Sequence, residues 1–76
     1  MNYQKATLDR KMTGSNIRSL IAESMFTYEE IAFILELSSS RVIYEWVSGN
    51  KIPSTENIAN LAKIFNVKME NIVSLR

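Results

Sequence analysis

Apolar side chains recur every three or four residues along most of the chain, the spacing that places them on one face of an α-helix. The first such series lies between a predicted cap at Thr13 and an end near Ser24, and its apolar members are Ile17, Leu20 and Ile21. No segment alternates between apolar and polar residues over enough positions to predict a strand. The pattern therefore predicts an all-α protein.

Thr27 and Glu30 mark the start of a second helix, because a threonine followed three residues later by a glutamate has the spacing of a capping box. We expect this helix to cover about residues 28–35. It is predicted to bury Ile31, Ala32 and Leu35, with Ile34 beside them.

A run of three serines, residues 38–40, precedes a third helix. The hydroxyl of Ser38 or Ser39 is expected to accept a hydrogen bond from a free backbone N–H at the helix start. Ile43 and Trp46 share the inward face, which predicts a core position for the tryptophan, and Gly49 stands where a left-handed residue would end the helix. The polar outer face comprises Arg41, Tyr44, Glu45 and Ser48.

A fourth helix is predicted after Ser54, with Asn66 as the residue that ends it. Its apolar stripe consists of Ile58, Leu61, Ala62 and Phe65. A short last helix is predicted to include Val67 and Ile72, with Met69 as a further candidate. With room for only one core in 76 residues, the chain should form a compact bundle of about five short helices over residues 13–76, preceded by residues 1–12 as a basic N-terminal arm.

Charge and composition narrow the classes of function. The net charge is only +1, but residues 1–18 carry +3, so the basic end is either an arm that meets phosphate or a solvated tail. The chain contains no cysteine and no histidine, so we predict no disulfide, no metal site and no base to activate a serine, and we expect no enzyme activity and no cofactor. With no apolar run long enough for a membrane span and no evident small-molecule ligand, a cytoplasmic protein is expected.

The second and third predicted helices, joined by a tight turn of three or four residues, have the arrangement of a helix-turn-helix, in which one helix can cross the DNA backbone while the next lies in the major groove. Here the chain resembles the Cro/XRE helix-turn-helix regulators, which share the lambda-repressor-like bundle. The resemblance covers about residues 13–73, through the segments TGSNIRSLI, TYEEIA, LSSSRVIYEWVSGNKIPS and ENIANLAKIFNVKMENIV. It is most specific in the joint spacing of Ile43, Tyr44, Trp46, Gly49 and Pro53.

The resemblance implies a sequence-specific regulator of transcription in a prokaryote or phage, most simply a repressor, that binds double-stranded DNA with about residues 39–48 in the major groove. It implies contacts with base edges or the groove for Ser39, Ser40, Arg41, Tyr44 and Glu45. It implies contacts with phosphate for Thr27, Tyr28, Ser48, Asn50 and Lys51.

Two departures from the family pattern affect these contacts. Many members have glycine where Glu36 stands, and residues 37–46 form a segment one residue longer than in the commonest members. The longer segment leaves the register of the contacts open by about one position. A left-handed backbone at Glu36 would cost roughly 1 kcal/mol or more.

Several side chains of the outer face have alternative roles. Arg41 either bonds guanine through its planar fork, contacts phosphate, or pairs with Glu45 on the protein surface. Tyr44 either reaches DNA or packs over the edge of Trp46. Glu45 either accepts from cytosine N4, discourages wrong registers, or is simply solvated.

A homodimer is the expected assembly, with a surface at the C-terminal end formed by Met69, Ile72, Val73 and Leu75. A second possibility is pairing or packing of the N-terminal arm across the dimer, through Tyr3, Ala6, Leu8 and Met12. A rival function is a protein-binding helix-turn-helix module, such as an antitoxin, an anti-repressor or a phage-type inhibitor. The low net charge and the outward Glu45 favour that rival.

Overall fold

The computed structural model describes residues 5–76, so Tyr3 of the predicted arm lies outside the described part of the chain. The elements are α1 (Arg10–Glu23), α2 (Tyr28–Ile34), α3 (Arg41–Val47), α4 (Thr55–Phe65) and a 3-10 helix (Met69–Asn71). The predicted all-α bundle is confirmed, with four α-helices and one short 3-10 helix in place of five α-helices. None of the helices in residues 5–76 has the length and apolarity needed to cross a membrane.

One core joins all four helices and the end of the chain. The side chains with no exposed surface are Ile17, Ile31, Ile43, Leu61 and Ile72, and Trp46 is only 3% exposed, as its inward position predicted. Ile34, expected beside Ile31 and Ala32, is largely exposed instead. At about 100° per residue, Ile34 lies about 110° from the midpoint between those two buried residues, which turns it away from the core.

The first helix begins at Arg10, so the predicted start at Thr13 was wrong. Asp9 is the N-cap, and its Oδ1 accepts from the N–H of Met12 at 3.0 Å. Thr13 is buried inside the helix, where its hydroxyl accepts from the N–H of Ser74 at 3.0 Å. The apolar pattern missed this start because the first turn of α1 contributes no buried apolar residue.

The C-terminal segment is held against the beginning of the chain by further hydrogen bonds. Asn16 Nδ2 on α1 donates to the Ile72 carbonyl oxygen at 3.0 Å. Leu8 and Leu75 form an isolated antiparallel bridge, flanked by a hydrogen bond of 2.8 Å from the N–H of Arg76 to the Thr7 carbonyl oxygen. These bonds fix the N-terminal half of α1 between α3 and the chain end.

Helices α2, α3 and α4 end in the same hydrogen-bond pattern, the Schellman motif. Each is followed by a residue in the left-handed conformation: Glu36 at φ 57°, Gly49 at φ 83° and Asn66 at φ 55°. After α2, the N–H of Leu37 donates to the Ala32 carbonyl at 2.9 Å, and equivalent bonds follow Gly49 and Asn66. The predicted ends at Gly49 and Asn66 are confirmed, and Glu36 occupies the position where glycine would meet no steric cost.

Replacing Glu36 with glycine should stabilise the fold by about 0.5–1 kcal/mol. Relief of roughly 1–2 kcal/mol of left-handed strain outweighs the additional entropy that glycine gives the unfolded chain, about 0.5–1 kcal/mol. Urea unfolding of both proteins measures the difference. Asn66→Gly is the matched control. Its gain in the free energy of unfolding should be smaller, since asparagine tolerates the left-handed conformation. An equal gain in the two variants would contradict the strain assigned to Glu36.

Candidate nucleic-acid interface

The link between α2 and α3 comprises six residues, 35–40, so the predicted tight turn of three or four residues was wrong. The third helix begins at Arg41, two or three residues after the predicted start at Ser38 or Ser39. Ser40 is the N-cap and makes no side-chain capping bond, whereas the Ser39 hydroxyl accepts from the N–H of Arg41 at 3.2 Å. The serine hydroxyl bond expected at this end therefore forms, but Ser39 and Ser40 precede the helix. Arg41 is its first residue.

The outer face of α3 is polar and open to solvent. The Arg41 side chain is 86% exposed, Tyr44 and Ser48 are exposed, and Glu45 is half-buried. Because Ile43 and Trp46 anchor the opposite side in the core, this face is presented outward on a fixed support. Of the two serines proposed to contact bases, which both precede the helix, Ser39 is exposed and Ser40 is half-buried.

Glu45 lies between two cations of this face. Its Oε1 is 3.9 Å from Arg41 Nε, and its Oε2 is 3.4 Å from Lys51 Nζ in the loop after α3. The surface pair considered for Arg41 is thus present in the free protein. Exposed pairs of this kind contribute about 0–1 kcal/mol, so the pairing orients both cations without preventing either from reaching a new partner.

Tyr28 at the start of α2 contacts Tyr44 on the outer face of α3. The ring centroids are 4.3 Å apart, and the ring planes are tilted by 30°. Packing over the edge of Trp46 was one of the two roles that the sequence left open for Tyr44. The observed contact instead joins the two helices of the motif, so the start of α2 adjoins the polar face of α3.

The remaining predicted phosphate contacts differ in how free their polar groups are. Thr27 forms the predicted capping box: its Oγ1 accepts from the N–H of Glu30 at 3.1 Å, and its own N–H donates to Glu30 Oε1 at 2.8 Å. The Thr27 hydroxyl proton remains able to donate to phosphate. Ser48 already donates its hydroxyl to the Glu45 carbonyl at 3.0 Å, and phosphate oxygens only accept, so Ser48 must break that bond to contact one. Asn50 and Lys51 are exposed.

Lys11 is a further candidate for this interface, which the sequence alone did not single out. A β-carbon placed on Gly49 would lie 3.2 Å from Lys11 Cγ, so this lysine of α1 packs beside the end of α3. The fold therefore brings part of the basic N-terminal segment next to the loop that carries Lys51. The charge of +3 in residues 1–18 was the signal, but only the fold shows where it lies.

No protein-family model matches this chain, and no curated protein or solved structure matches it either. The Cro/XRE resemblance stays a prediction that rests on the quoted residues.

Proposed function

We propose that this chain is a sequence-specific, double-stranded DNA-binding regulator of transcription: a cytoplasmic repressor of the Cro/XRE type from a prokaryote or phage. The observation that carries the proposal is the arrangement around α3. Two residues from other elements adjoin the exposed polar face of α3. Tyr28 of α2 contacts Tyr44, and Lys51 of the loop after α3 pairs with Glu45. A helix with groups for phosphate around a polar face suits a major groove lined by two backbones.

In this arrangement α3 would read the base sequence, and the residues around α3 would hold the protein in place on the DNA backbone. Arg41 in the first turn of α3 would reach base edges, where its fork matches O6 and N7 of guanine. Thr27, Tyr28 and the lysines at positions 11 and 51 would meet phosphate. Such contacts fix the register of the protein on the duplex without reading its sequence.

A homodimer on a two-fold related operator is part of the proposal, with half-sites about 34–36 Å apart. Ile72 is fully buried in its own chain and leaves no surface for a partner, whereas Met69 and Leu75 are exposed. Leu8 is engaged by Leu75 of the same chain, and Met12 is exposed. The proposed dimer surface is therefore reduced to exposed apolar side chains near the chain end and the start of α1.

The proposal is tested by selecting bound duplexes from a random pool and measuring the affinity for the selected site across a salt series. We expect a two-fold symmetric site. Neutralisation of phosphate by Lys11 and Lys51 predicts a slope of log affinity against log salt of about −1.8 per chain or steeper. No detectable binding to any duplex at low salt would contradict the proposal and favour a protein-binding module.

A further inference from the structure

The outward side of α2 carries apolar side chains where a soluble helix normally carries polar ones. Phe33 is 86% exposed and Met25, just before the helix, is 97% exposed. Next to them is a shallow groove of about 320 Å³. We name this surface the α2 outer patch; it is lined by Phe26, Glu29, Glu30, Phe33 and Ile34.

The α2 outer patch points away from the core. At about 100° per residue, Phe33 and Glu30 each lie about 150° from the midpoint between the buried Ile31 and Ala32. An aromatic ring in this orientation adds little to the stability of the monomer, because most of its surface stays in water. Clustered apolar side chains on a surface mark a contact site more often than scattered ones do.

The charge around the patch restricts what can bind there. Within residues 5–76, the groove is lined by two glutamates, Glu29 and Glu30, and by no lysine or arginine. Glu30 is part of the capping box that starts α2. Glu29 also lines the groove, but it has no role in capping the helix. Such a surface repels nucleic acid and anionic lipid, and it attracts a group that is both basic and apolar.

We propose that the α2 outer patch docks a helix of a partner protein, one that presents apolar residues along one side flanked by lysine or arginine. Apolar side chains of the partner helix would lie against Phe33, Phe26 and Ile34, as in other helix-in-groove complexes. Its cations would pair with Glu29 and Glu30, which fixes the direction in which the helix lies.

A second copy of this chain fits the patch less well than a different protein. Of the described residues, no lysine or arginine lines the patch itself, so a self-contact that pairs cations with its glutamates would join two different surfaces. A contact of that type closes only into a ring, or it continues as a filament. A separate partner needs no such closure.

The docking proposal does not rest on DNA binding. Phe33 lies about 140° around α2 from Tyr28, the residue that contacts α3, so the patch and the polar face of α3 point in different directions. A partner helix and a duplex would therefore approach from different sides. Failure to bind DNA would leave the docking surface intact.

The test uses a fluorescent leucine–lysine peptide of about four helical turns, with a leucine–glutamate peptide of the same pattern for comparison. Anisotropy titrations with the full chain should show the lysine peptide binding about tenfold tighter or more. Phe33→Ser should weaken that binding about tenfold, and Glu29→Gln combined with Glu30→Gln should weaken it and flatten its salt dependence. Glutamine at position 30 preserves the capping box.

Ile52→Ser is the matched control, since Ile52 is an exposed apolar residue beside Lys51 that does not line the patch, and it should leave peptide binding unchanged. Thermal unfolding by circular dichroism should be alike for Phe33→Ser and the parent chain. Equal binding of the two peptides, or full binding by Phe33→Ser, overturns the proposal. So does a concentration-dependent dimer in sedimentation that Phe33→Ser abolishes, because the occupant is then a second copy.

Discussion

Gly14→Ala is expected to destabilise the protein by about 3 kcal/mol or more. This loss is at or above the upper end of the usual cost of overpacking a core. A chain of 76 residues has a total stability of roughly 4–11 kcal/mol, so a large share of it would be lost. Helix propensity alone predicts the opposite sign, since alanine in a helix interior is favoured over glycine by about 0.5–1 kcal/mol. The sign of the change therefore decides between propensity and packing.

Packing dominates because α1 and α3 make the most extensive helix–helix contact of the fold, and Gly14 lies where they meet. A β-carbon at position 14 would lie 2.4 Å from the carbonyl oxygen of Trp46 and 2.8 Å from that of Val47. Both are backbone atoms in the last turn of α3, and the Trp46 oxygen also accepts from the N–H of Gly49 at 3.1 Å. Neither can rotate away, so α1 would have to move off the core.

Thermal unfolding measures the effect, and a loss of 3 kcal/mol corresponds to a fall in Tm of roughly 12–24 °C for a domain of this size. Ser15→Ala is the matched control, because Ser15 is exposed on the same turn of α1. It should be neutral or gain a few tenths of a kcal/mol from propensity. A rise in Tm for Gly14→Ala would show that α1 and α3 do not cross this closely.

Local signals account for the parts of the fold that the sequence predicted. The capping box at Thr27, the glycine at position 49 and the asparagine at position 66 act within a few residues of their own helix, so their roles can be inferred without the rest of the chain. The apolar stripes likewise identified Ile43 and Trp46 as core residues.

Long-range contacts account for what the sequence did not predict. The hydrogen-bond partner of Thr13 is Ser74, 61 positions away, so the threonine looked like a local cap. The backbone that excludes a side chain at Gly14 belongs to α3, so no residue near position 14 in the sequence indicates that contact. In the candidate site, the outward face of α3 was predicted, but the contacts of Tyr28 with Tyr44 and of Lys11 with Gly49 depend on the tertiary arrangement.

Because α3 begins later than predicted, Arg41 is better placed for a base contact than the other candidates near the helix start. With Ser39 and Ser40 before the helix, Arg41 becomes the first residue of α3. In helix-turn-helix proteins the N-terminal residues of the second helix contact base edges. The start observed for α3 therefore strengthens Arg41 as the proposed reader, relative to the two serines.

On a duplex selected as its binding site, Arg41→Ala is expected to lose about 1–3 kcal/mol of discrimination at one base pair, roughly 5- to 150-fold in relative affinity. Lys51→Ala should instead weaken all duplexes alike and reduce the salt slope by about 1, because a phosphate contact is the same at every sequence. Titrations against a panel of duplexes, each with one base pair changed, measure both effects. Lys68→Ala is the control, since Lys68 is also an exposed cation near a glutamate, at 4.0 Å from Glu70.

The informative quantity is the ratio of the affinities for two duplexes, because the absolute affinity changes for other reasons as well. Arg41 and Lys51 both pair with Glu45, so removing either cation leaves the glutamate less compensated and weakens binding to every duplex through repulsion of phosphate. Only a contact with a base changes the preference among duplexes. If Arg41→Ala lowers all affinities by one common factor, the base-reading role proposed for Arg41 is wrong.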